Sequence, residues 1–184
     1  KIMKRLFLML FLIASNYAIA QHQFKYELEF KRDSLNKDFV LKEIFNLDYM
    51  DGESVFYPAV YSKIDSLYKA QANVNIKELP FANADYYIQK SLSKEEIVFD
   101  EIIGFDRYRT LDDKDLDWVI TNETKIFTSD LEKEYKLNKA TILFGGREWH
   151  AWYSLEIPVS DGPYKFWGLP GLIFEIYDVE EDYS

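Results

Sequence analysis

The chain has 184 residues, a formal net charge of −10, no cysteine and an aromatic content of 17%. The lack of cysteine excludes disulfides, thiolate nucleophiles and cysteine metal sites, and the acidic balance disfavours nucleic acid as a partner because its phosphates would be repelled. The aromatic content favours β structure, since aromatic side chains suit the half-buried surface of a sheet.

The first twenty residues have the pattern of a secretory signal peptide. Lys4-Arg5 precedes an apolar run from Leu6 to Ala14, and Ala18-Ile19-Ala20 is a small-x-small cleavage site. The run is too short to span a bilayer, which takes roughly 20 residues; a buried N-terminal helix is the alternative. We therefore expect cleavage after Ala20 and an extracytoplasmic protein, periplasmic or secreted, whose mature chain has no membrane span.

Residues 21–184 are expected to form one domain. They carry 19 basic and 32 acidic residues, because three of the 22 basic residues and none of the acidic ones lie before this range. The resulting net charge is −13, which suits solubility or a cationic partner. A chain of this length is large enough for a single hydrophobic core.

Alternating apolar residues predict β-strands near the start of this domain. From Phe24 to Phe30 every second residue is apolar, and the same spacing runs from Phe39 to Tyr49 with Glu43 as the exception. Asp51-Gly52 then predicts a tight hairpin turn. The return strand is expected at Val55 to Tyr57.

One helix is predicted after this hairpin, from about Tyr61 to Ala72, with a loop as the alternative. The spacing would place five residues on one face of a helix: Val60, Ile64, Leu67, Tyr68 and Gln71.

Short strands are predicted through the rest of the chain. Their expected positions are Tyr86–Gln89, Ile97–Phe105, Asp106–Thr110, Trp118–Ile120, Lys125–Phe127, Thr141–Phe144, Arg147–Ile157 and Leu172–Asp178. Gly145-Gly146 predicts a hairpin turn, and Leu131 to Lys136 is expected to be a charged connection. The pattern indicates a mainly β or α+β fold, with an antiparallel curved sheet and one or more helices.

The stretch from Ile142 to Asp178 is compositionally distinct. It holds five of the seven glycines, three of the four tryptophans and three of the five prolines, and its centre reads Gly168-Leu169-Pro170-Gly171-Leu172-Ile173. With the flanking segments Gly146-Arg147, Ala151-Trp152-Tyr153, Ile157-Pro158 and Gly162-Pro163-Tyr164-Lys165-Phe166, it closely resembles the GLPGLI family of secreted bacterial proteins. The resemblance is strong over about 40 residues and weaker upstream. At Leu137 this chain departs from the many relatives that carry cysteine shortly before the motif.

The resemblance implies an extracytoplasmic protein of gram-negative bacteria with no established activity. Relatives are often encoded near outer-membrane TonB-dependent receptors, so such a receptor is the partner that the resemblance implies. The family usually continues well past the motif, so we expect the domain to extend beyond Ser184.

The hexapeptide itself is predicted to be a structural turn formed by Gly168, Pro170 and Gly171. Pro170-Gly171 fits the centre of a type II turn, in which proline presets φ and glycine takes a positive φ. Gly168 would then let a backbone segment pass close by. A ligand-cradling glycine loop is the alternative, but the helix start or lysine that a phosphate cradle needs does not follow.

The strand that begins at Arg147 is predicted to have two different faces. A core face is expected to consist of Arg147 at the rim, Trp149, Ala151, Tyr153 and Leu155. Glu148, His150 and Trp152 lie on the opposite face, and with Trp167 they form the candidate binding face. The alternative is a solvated face with one exposed tryptophan.

Patterns for metal binding and catalysis are weak. His22 and His150 are the two histidines, which does not suit a histidine-rich metal site. An Asp-x-Asp-x-Asp run at 113–117 begins like a calcium loop, but Trp118 and Thr124 replace the required glycine and glutamate. No Gly-x-Ser-x-Gly elbow occurs. We predict no metal, cofactor or catalytic residue.

Three functional hypotheses follow. The first is a secreted, non-enzymatic binding or accessory protein of the cell envelope, for which a flat aromatic patch would be favourable. The second is a periplasmic carrier of a hydrophobic ligand, a lipid or lipopeptide, for which an apolar cavity between helix and sheet is needed. The third and least favoured is a hydrolase that uses two facing carboxylates.

Overall fold

A computed structural model of the chain describes residues 21–31, 38–70, 79–103, 106–112 and 116–184. The predicted signal peptide and most of the acidic run at 113–117 lie outside these ranges. The helix α1 spans Val60–Lys69. The strands are β1 Gln21–Lys31, β2 Val40–Met50, β3 Glu53–Pro58, β4 Tyr86–Ser91, β5 Glu96–Ile103, β6 Asp106–Asp112, β7 Val119–Thr128, β8 Glu134–Phe144, β9 Arg147–Ser154 and β10 Leu172–Asp178.

Strands β1 to β6 form an antiparallel sheet in which each strand pairs with the next along the chain. The Asp51-Gly52 hairpin between β2 and β3 is confirmed, and both residues have positive φ, at 51° and 82°, as a primed two-residue turn requires. The predicted alternation is also confirmed: the inner face carries the buried side chains of Phe45, Leu47, Phe56, Ile88 and Ile97.

Strands β7 to β10 form a second antiparallel sheet with the order β10-β9-β8-β7. The predicted hairpin at Gly145-Gly146 is confirmed, with φ of 60° and 79°. The two short strands expected around residue 122 are one strand, β7, with an irregularity between Ile120 and Thr124. The mainly β, antiparallel fold class predicted from the sequence is confirmed.

Most strands differ from their predicted limits by a few residues, and two of these differences change which residues belong to the sheet. Strand β8 begins at Glu134, inside the expected charged connection, because Glu134 pairs with Thr128 of β7 through main-chain atoms. The charged side chains of Glu134 and Lys136 are exposed, so the strand accommodates them without burying charge. Strand β9 ends at Ser154, so Leu155 lies beyond the sheet. Leu155 was expected in the core and is instead 56% exposed.

The chain between β9 and β10, residues 155–171, connects the two hydrophobic cores; we call it the inter-sheet segment. Val159 and Trp167 pack in the core of the six-stranded sheet. Phe166 and Leu169 pack in the core of the four-stranded sheet. Each large apolar side chain buried in this way contributes roughly 1.5–3 kcal/mol, so the segment stabilises both sheets.

The chain after β10 returns to the edge of the first sheet. Phe30 and Tyr183 form an antiparallel bridge, and Glu29 and Ser184 exchange main-chain hydrogen bonds of 2.7 and 3.0 Å. This pairing covers the outer edge of β1 at its last three residues, Glu29 to Lys31. In the part of the chain that the structure describes, β6 ends the first sheet on its other side, and β7 and β10 are the edge strands of the second sheet.

Helix α1 lies on the outer face of the six-stranded sheet, which faces away from the core. The predicted helix is confirmed, but none of its side chains is fully buried. It is attached by polar contacts: Asn46 Nδ2 donates to Ser62 Oγ at 3.1 Å, and the Tyr57 hydroxyl lies 3.1 Å from the same oxygen. No helix in the described chain has the length and apolar character needed to cross a membrane.

Three tyrosines support the contact of the first sheet with the inter-sheet segment and with the start of β10. The Tyr26 hydroxyl donates to the carbonyl oxygen of Ile173 at 2.7 Å. Tyr86 stacks on Phe45 with 4.8 Å between ring centroids and meets Tyr164 edge-on at 5.6 Å. Burial raises the pKa of Tyr26, of Tyr86 and of Tyr164, the last to about 12.

We expect the free energy of unfolding to fall as the pH rises above about 10, because tyrosines in the unfolded chain ionise there while Tyr26, Tyr86 and Tyr164 stay protonated in the folded protein. The folded state then binds more protons than the unfolded state, so stability that is complete below this pH is lost on the way to about pH 12 and above. Urea unfolding across this range, with tyrosinate absorbance, measures the effect. Ionisation of all 13 tyrosines of residues 21–184 near the unperturbed pKa, with native circular dichroism, would contradict it.

Candidate functional site

The GLPGLI hexapeptide forms a corner at the end of the inter-sheet segment, in which Gly168 and Pro170 are exposed and the other four residues are buried. Its two glycines have the opposite roles to those predicted. Gly168 has the positive φ, 88°. Gly171 does not, and the predicted type II turn at Pro170-Gly171 is therefore wrong. A Cβ atom on Gly171 would lie 2.0 Å from the carbonyl oxygen of Ser154. Glycine is needed at 171 because the chain passes directly against the end of β9 before it pairs with that strand as β10.

Trp167, predicted for the binding face, is a core residue. Its side chain is 7% exposed and packs with Val159 and Leu172. Its carbonyl oxygen accepts a hydrogen bond of 2.7 Å from Trp118 Nε1. The prediction was wrong because residue 167 lies within a segment covered by both sheets, which local sequence pattern does not reveal.

A buried ion pair joins this segment to the six-stranded sheet. Lys90 and Asp161, whose side chains are 1% and 2% exposed, form the pair. Lys90 Nζ also donates to the carbonyl oxygen of Gly162 at 2.6 Å, and Asp161 Oδ1 accepts the Gly162 N–H at 2.7 Å. Desolvation lowers the pKa of Lys90, and the Asp161 carboxylate opposes that shift. Both groups are inaccessible and hydrogen-bonded, so their role is structural.

Sequence analysis did not single out Lys90 or Asp161, although one signal was present. Tyr86, Ile88 and Lys90 alternate along β4, which places Lys90 on the inward-facing side of the strand. A charged residue in that position requires a buried partner.

The outer face of the four-stranded sheet contains the other predicted binding residues. His150 Nε2 lies 3.3 Å from Glu148 Oε1, and the His150 ring meets Tyr177 edge-on at 5.6 Å. The Glu148 side chain is 54% exposed and that of His150 is 22% exposed. The two groups are therefore close together and open to solvent.

Trp152 lies on the same face but is covered, which corrects the expectation of an accessible tryptophan. It is 9% exposed, because Lys125 Nζ and Lys139 Nζ lie 4.4 and 5.8 Å from its ring centroid. Lys125 is held by Glu175 and Lys139 by Glu123. Cation–π contacts of this kind contribute about 0.5–1 kcal/mol each at exposed sites. Trp152 is thus part of a structural stack.

Two exposed apolar residues complete this outer face. Leu143 pairs across the sheet with Glu148, and Thr141 with His150; Val119 pairs with Thr141. Leu143 is 81% exposed and Val119 is 63% exposed. We define Val119, Leu143, Glu148 and His150 as the candidate surface. The sequence pattern did not identify Val119 or Leu143, because a strand apolar on both faces normally indicates burial on both.

An acidic group near the end of the described chain has the composition of a metal site but surrounds an arginine. One carboxylate oxygen each from Asp178, Glu180 and Asp182 lies within 4.8 Å of the others. Arg147 forms ion pairs with all three, and the hydrogen bonds that it donates to Asp182 and Asp178 raise its pKa. Asp178 also accepts the N–H groups of Asp182 and Tyr183. The arrangement fixes the turn that leads from β10 to β1.

Comparison with known proteins places the chain in an uncharacterised group. A family model described as "Protein of unknown function (Porph_ging)" matches residues 66–175, more than half of the chain. No curated protein matches. A solved structure described as "Structure of PNGF-II in C2 space group" is similar with a TM-score of 0.54 and 12% identity, over 86% of this chain and 25% of that chain. The likeness shows the fold alone, and this chain spans about a quarter of the length of that one.

We expect Lys90→Met to lower the free energy of unfolding by about 3–5 kcal/mol, because the buried carboxylate of Asp161 loses its counter-charge. Urea unfolding measures the change. Adding Asp161→Asn, which removes the charge but can still accept the Gly162 N–H, should recover part of the loss. The matched control is Lys42→Met, which removes a lysine paired on the surface with Glu27 and Glu29 and should have little effect. Equal losses for the two lysines would contradict the structural role of the buried pair.

Gly171→Ala is expected to destabilise the fold by more than about 3 kcal/mol, since the added methyl group has to displace main-chain atoms of β9. Gly145→Ala is the control: a Cβ there meets no atom within 4 Å, so it costs about 1–2 kcal/mol for the left-handed φ alone. Chemical unfolding of both variants makes the comparison. If Gly145→Ala is the more damaging, close approach is not the reason for glycine at 171.

Proposed function

This chain belongs to the Porph_ging family of proteins of unknown function, and we propose that it is a non-enzymatic binding or accessory protein of the gram-negative cell envelope that contacts a partner through the candidate surface. The observation that carries this proposal is the pair of exposed apolar residues, Leu143 and Val119, beside Glu148 and His150. An apolar centre with polar neighbours is the composition of a protein interface.

The unpaired edge of β7 gives this surface a second way to bind a partner. Val119 lies on β7, which has no strand paired on its far side in the part of the chain described. An unpaired strand offers main-chain N–H and C=O groups to a partner. A partner that contacts Val119 and Leu143 could therefore also make main-chain hydrogen bonds to β7.

Residues 1–20 are proposed to be a signal peptide cleaved after Ala20, which would give a periplasmic or secreted protein. We also propose that the family is the one named for the hexapeptide at Gly168–Ile173. An outer-membrane TonB-dependent receptor is the proposed partner. Support for these three points comes from the sequence and the resemblance.

The carrier hypothesis receives no support from the contact between helix and sheet. It required an apolar cavity between α1 and the six-stranded sheet. In the described residues this contact is a polar network of Asn46, Tyr57 and Ser62. The interior between the sheets is filled by side chains of the inter-sheet segment. We therefore do not propose a lipid carrier.

The test is capture of a partner from outer-membrane extract by immobilised residues 21–184, with identification by mass spectrometry. Replacing both Val119 and Leu143 by Asp should reduce recovery of a specific membrane protein by about tenfold or more, as expected when apolar residues at the centre of an interface are lost. The control is Leu131→Asp, which changes a residue that is 90% exposed in the turn at the opposite end of the β7–β8 hairpin.

Recovery of the same partner by the wild type and the double variant would contradict the proposed surface. Lipid extraction from the same eluate tests the carrier alternative, since a stoichiometric lipid would favour a carrier. Thermal unfolding of each variant verifies that the sheet remains folded.

A further inference from the structure

A groove of about 410 Å³ crosses the outer face of the six-stranded sheet. Its floor follows a row of cross-strand neighbours that runs through β1 to β6. The row consists of Gln23, Asp48, Val55, Gln89, Val98 and Leu111, of which the four central members, Asp48, Val55, Gln89 and Val98, line the groove. A second row on the side of the Asp51-Gly52 turn includes Met50, Glu53, Ser91 and Glu96.

Helix α1 bounds the open part of this face. The next row away from the turn includes Asn46 and Tyr57, and the helix covers it through Ser62. The groove therefore occupies the half of the face that the helix leaves free. Because side chains alternate along a strand, Val55 and Val98 point into the groove while their neighbours Phe56 and Ile97 point into the core.

Three carboxylates line the groove, and their charges are not neutralised within the described chain. Asp48 accepts hydrogen bonds from Gln23 Nε2 at 2.7 Å and from the Tyr57 hydroxyl at 2.8 Å. Glu53 accepts from the Ser91 hydroxyl at 2.6 Å. These donors are uncharged. Glu96 is the third carboxylate, and Lys94 at the end of the groove is its one lining lysine besides the buried Lys90.

Three other carboxylates on this outer face, those of Glu27, Glu29 and Asp100, are paired with cations. Glu27 and Glu29 form ion pairs with Lys42. Asp100 forms a two-point ion pair with Arg109, with both N···O distances at 2.7 Å. The groove thus differs from its surroundings in combining an apolar floor with uncompensated negative charge.

We propose that the groove binds an extended cationic peptide segment of a partner protein in which basic and apolar side chains alternate. The peptide runs between the two rows, so its basic side chains, which all lie on one side of the extended backbone, pair with Glu53 and Glu96 in the second row, and its apolar side chains, on the opposite side, reach the first row. The two valines of the floor receive the apolar side chains. Glu53 and Glu96 lie on strands two apart, so about 10 Å separates their backbones. Successive same-face residues of an extended peptide are about 7 Å apart, and arginine is flexible enough to span the difference.

This groove is a different surface from the one that carries the proposed function. Val119 and Leu143 belong to the four-stranded sheet, whereas the groove belongs to the six-stranded sheet. The peptide experiment below can therefore fail while partner capture through Val119 and Leu143 succeeds, and the reverse also holds.

The test is isothermal titration of residues 21–184 with a blocked octapeptide in which arginine and valine alternate. Glu53→Gln combined with Glu96→Gln should weaken binding at least about fivefold, because two ion pairs are lost. The matched control is Glu27→Gln with Glu29→Gln, which changes the net charge equally on the same face and should weaken binding less than about twofold. Val55→Lys, which places a cation on the floor, should abolish binding independently of the glutamates.

Two comparison peptides separate the proposed site from general charge attraction. An octapeptide with glutamate in place of arginine should not bind, and one with four arginines followed by four valines should bind more weakly than the alternating peptide. Equal weakening by the two double variants, equal binding of the block and alternating peptides, or no binding by the folded wild type would overturn the proposal. Thermal unfolding establishes that each variant is folded before titration.

Discussion

The buried ion pair between Lys90 and Asp161 is the interaction on which the arrangement of the two sheets depends. Lys90 belongs to the six-stranded sheet, and Asp161 belongs to the inter-sheet segment whose aromatic residues fill the second core. Burying two charges is costly unless both are fully hydrogen-bonded. The Gly162 main chain meets that condition by accepting from Lys90 and donating to Asp161. A shifted segment would break this set of contacts, so the pair specifies one packing of the segment against the sheet.

Local features of the sequence were sufficient to predict most of the strands. Alternation identified β1 and β2, and turn chemistry identified both two-residue hairpins, because these signals act between neighbouring residues. Strand β8 was less predictable, since the charged residues at its start belong to the sheet through main-chain pairing with β7. The role of Lys90 could not be predicted from its local sequence either, because its partner, Asp161, lies more than seventy residues away.

The candidate site was predicted only in part, and the errors have a common cause. Glu148 and His150 share an outer face as expected, but Trp152 is covered by lysines from β7 and β8, and Trp167 lies in a core. The exposure of a side chain depends on which strands become neighbours, and the periodicity of one strand carries no information about its neighbours. Likewise, Gly171 needs its missing side chain because of Ser154 on another strand. Turn propensity alone assigned the positive φ to the wrong glycine.

The pairing of residues 182–184 with β1 joins the two ends of the described chain, and this has a consequence for folding. The hairpins of the six-stranded sheet involve neighbouring strands, so little loop entropy opposes them. The contacts of β1 with the end of the chain join residues that are far apart in sequence. Tyr26 bonds to a residue 147 positions away, and Phe30 pairs with Tyr183. Contacts of such long range form slowly. Until residues 182–184 pair with it, the end of β1 from Glu29 to Lys31 keeps unpaired main-chain groups, and such groups can associate with strands of other chains.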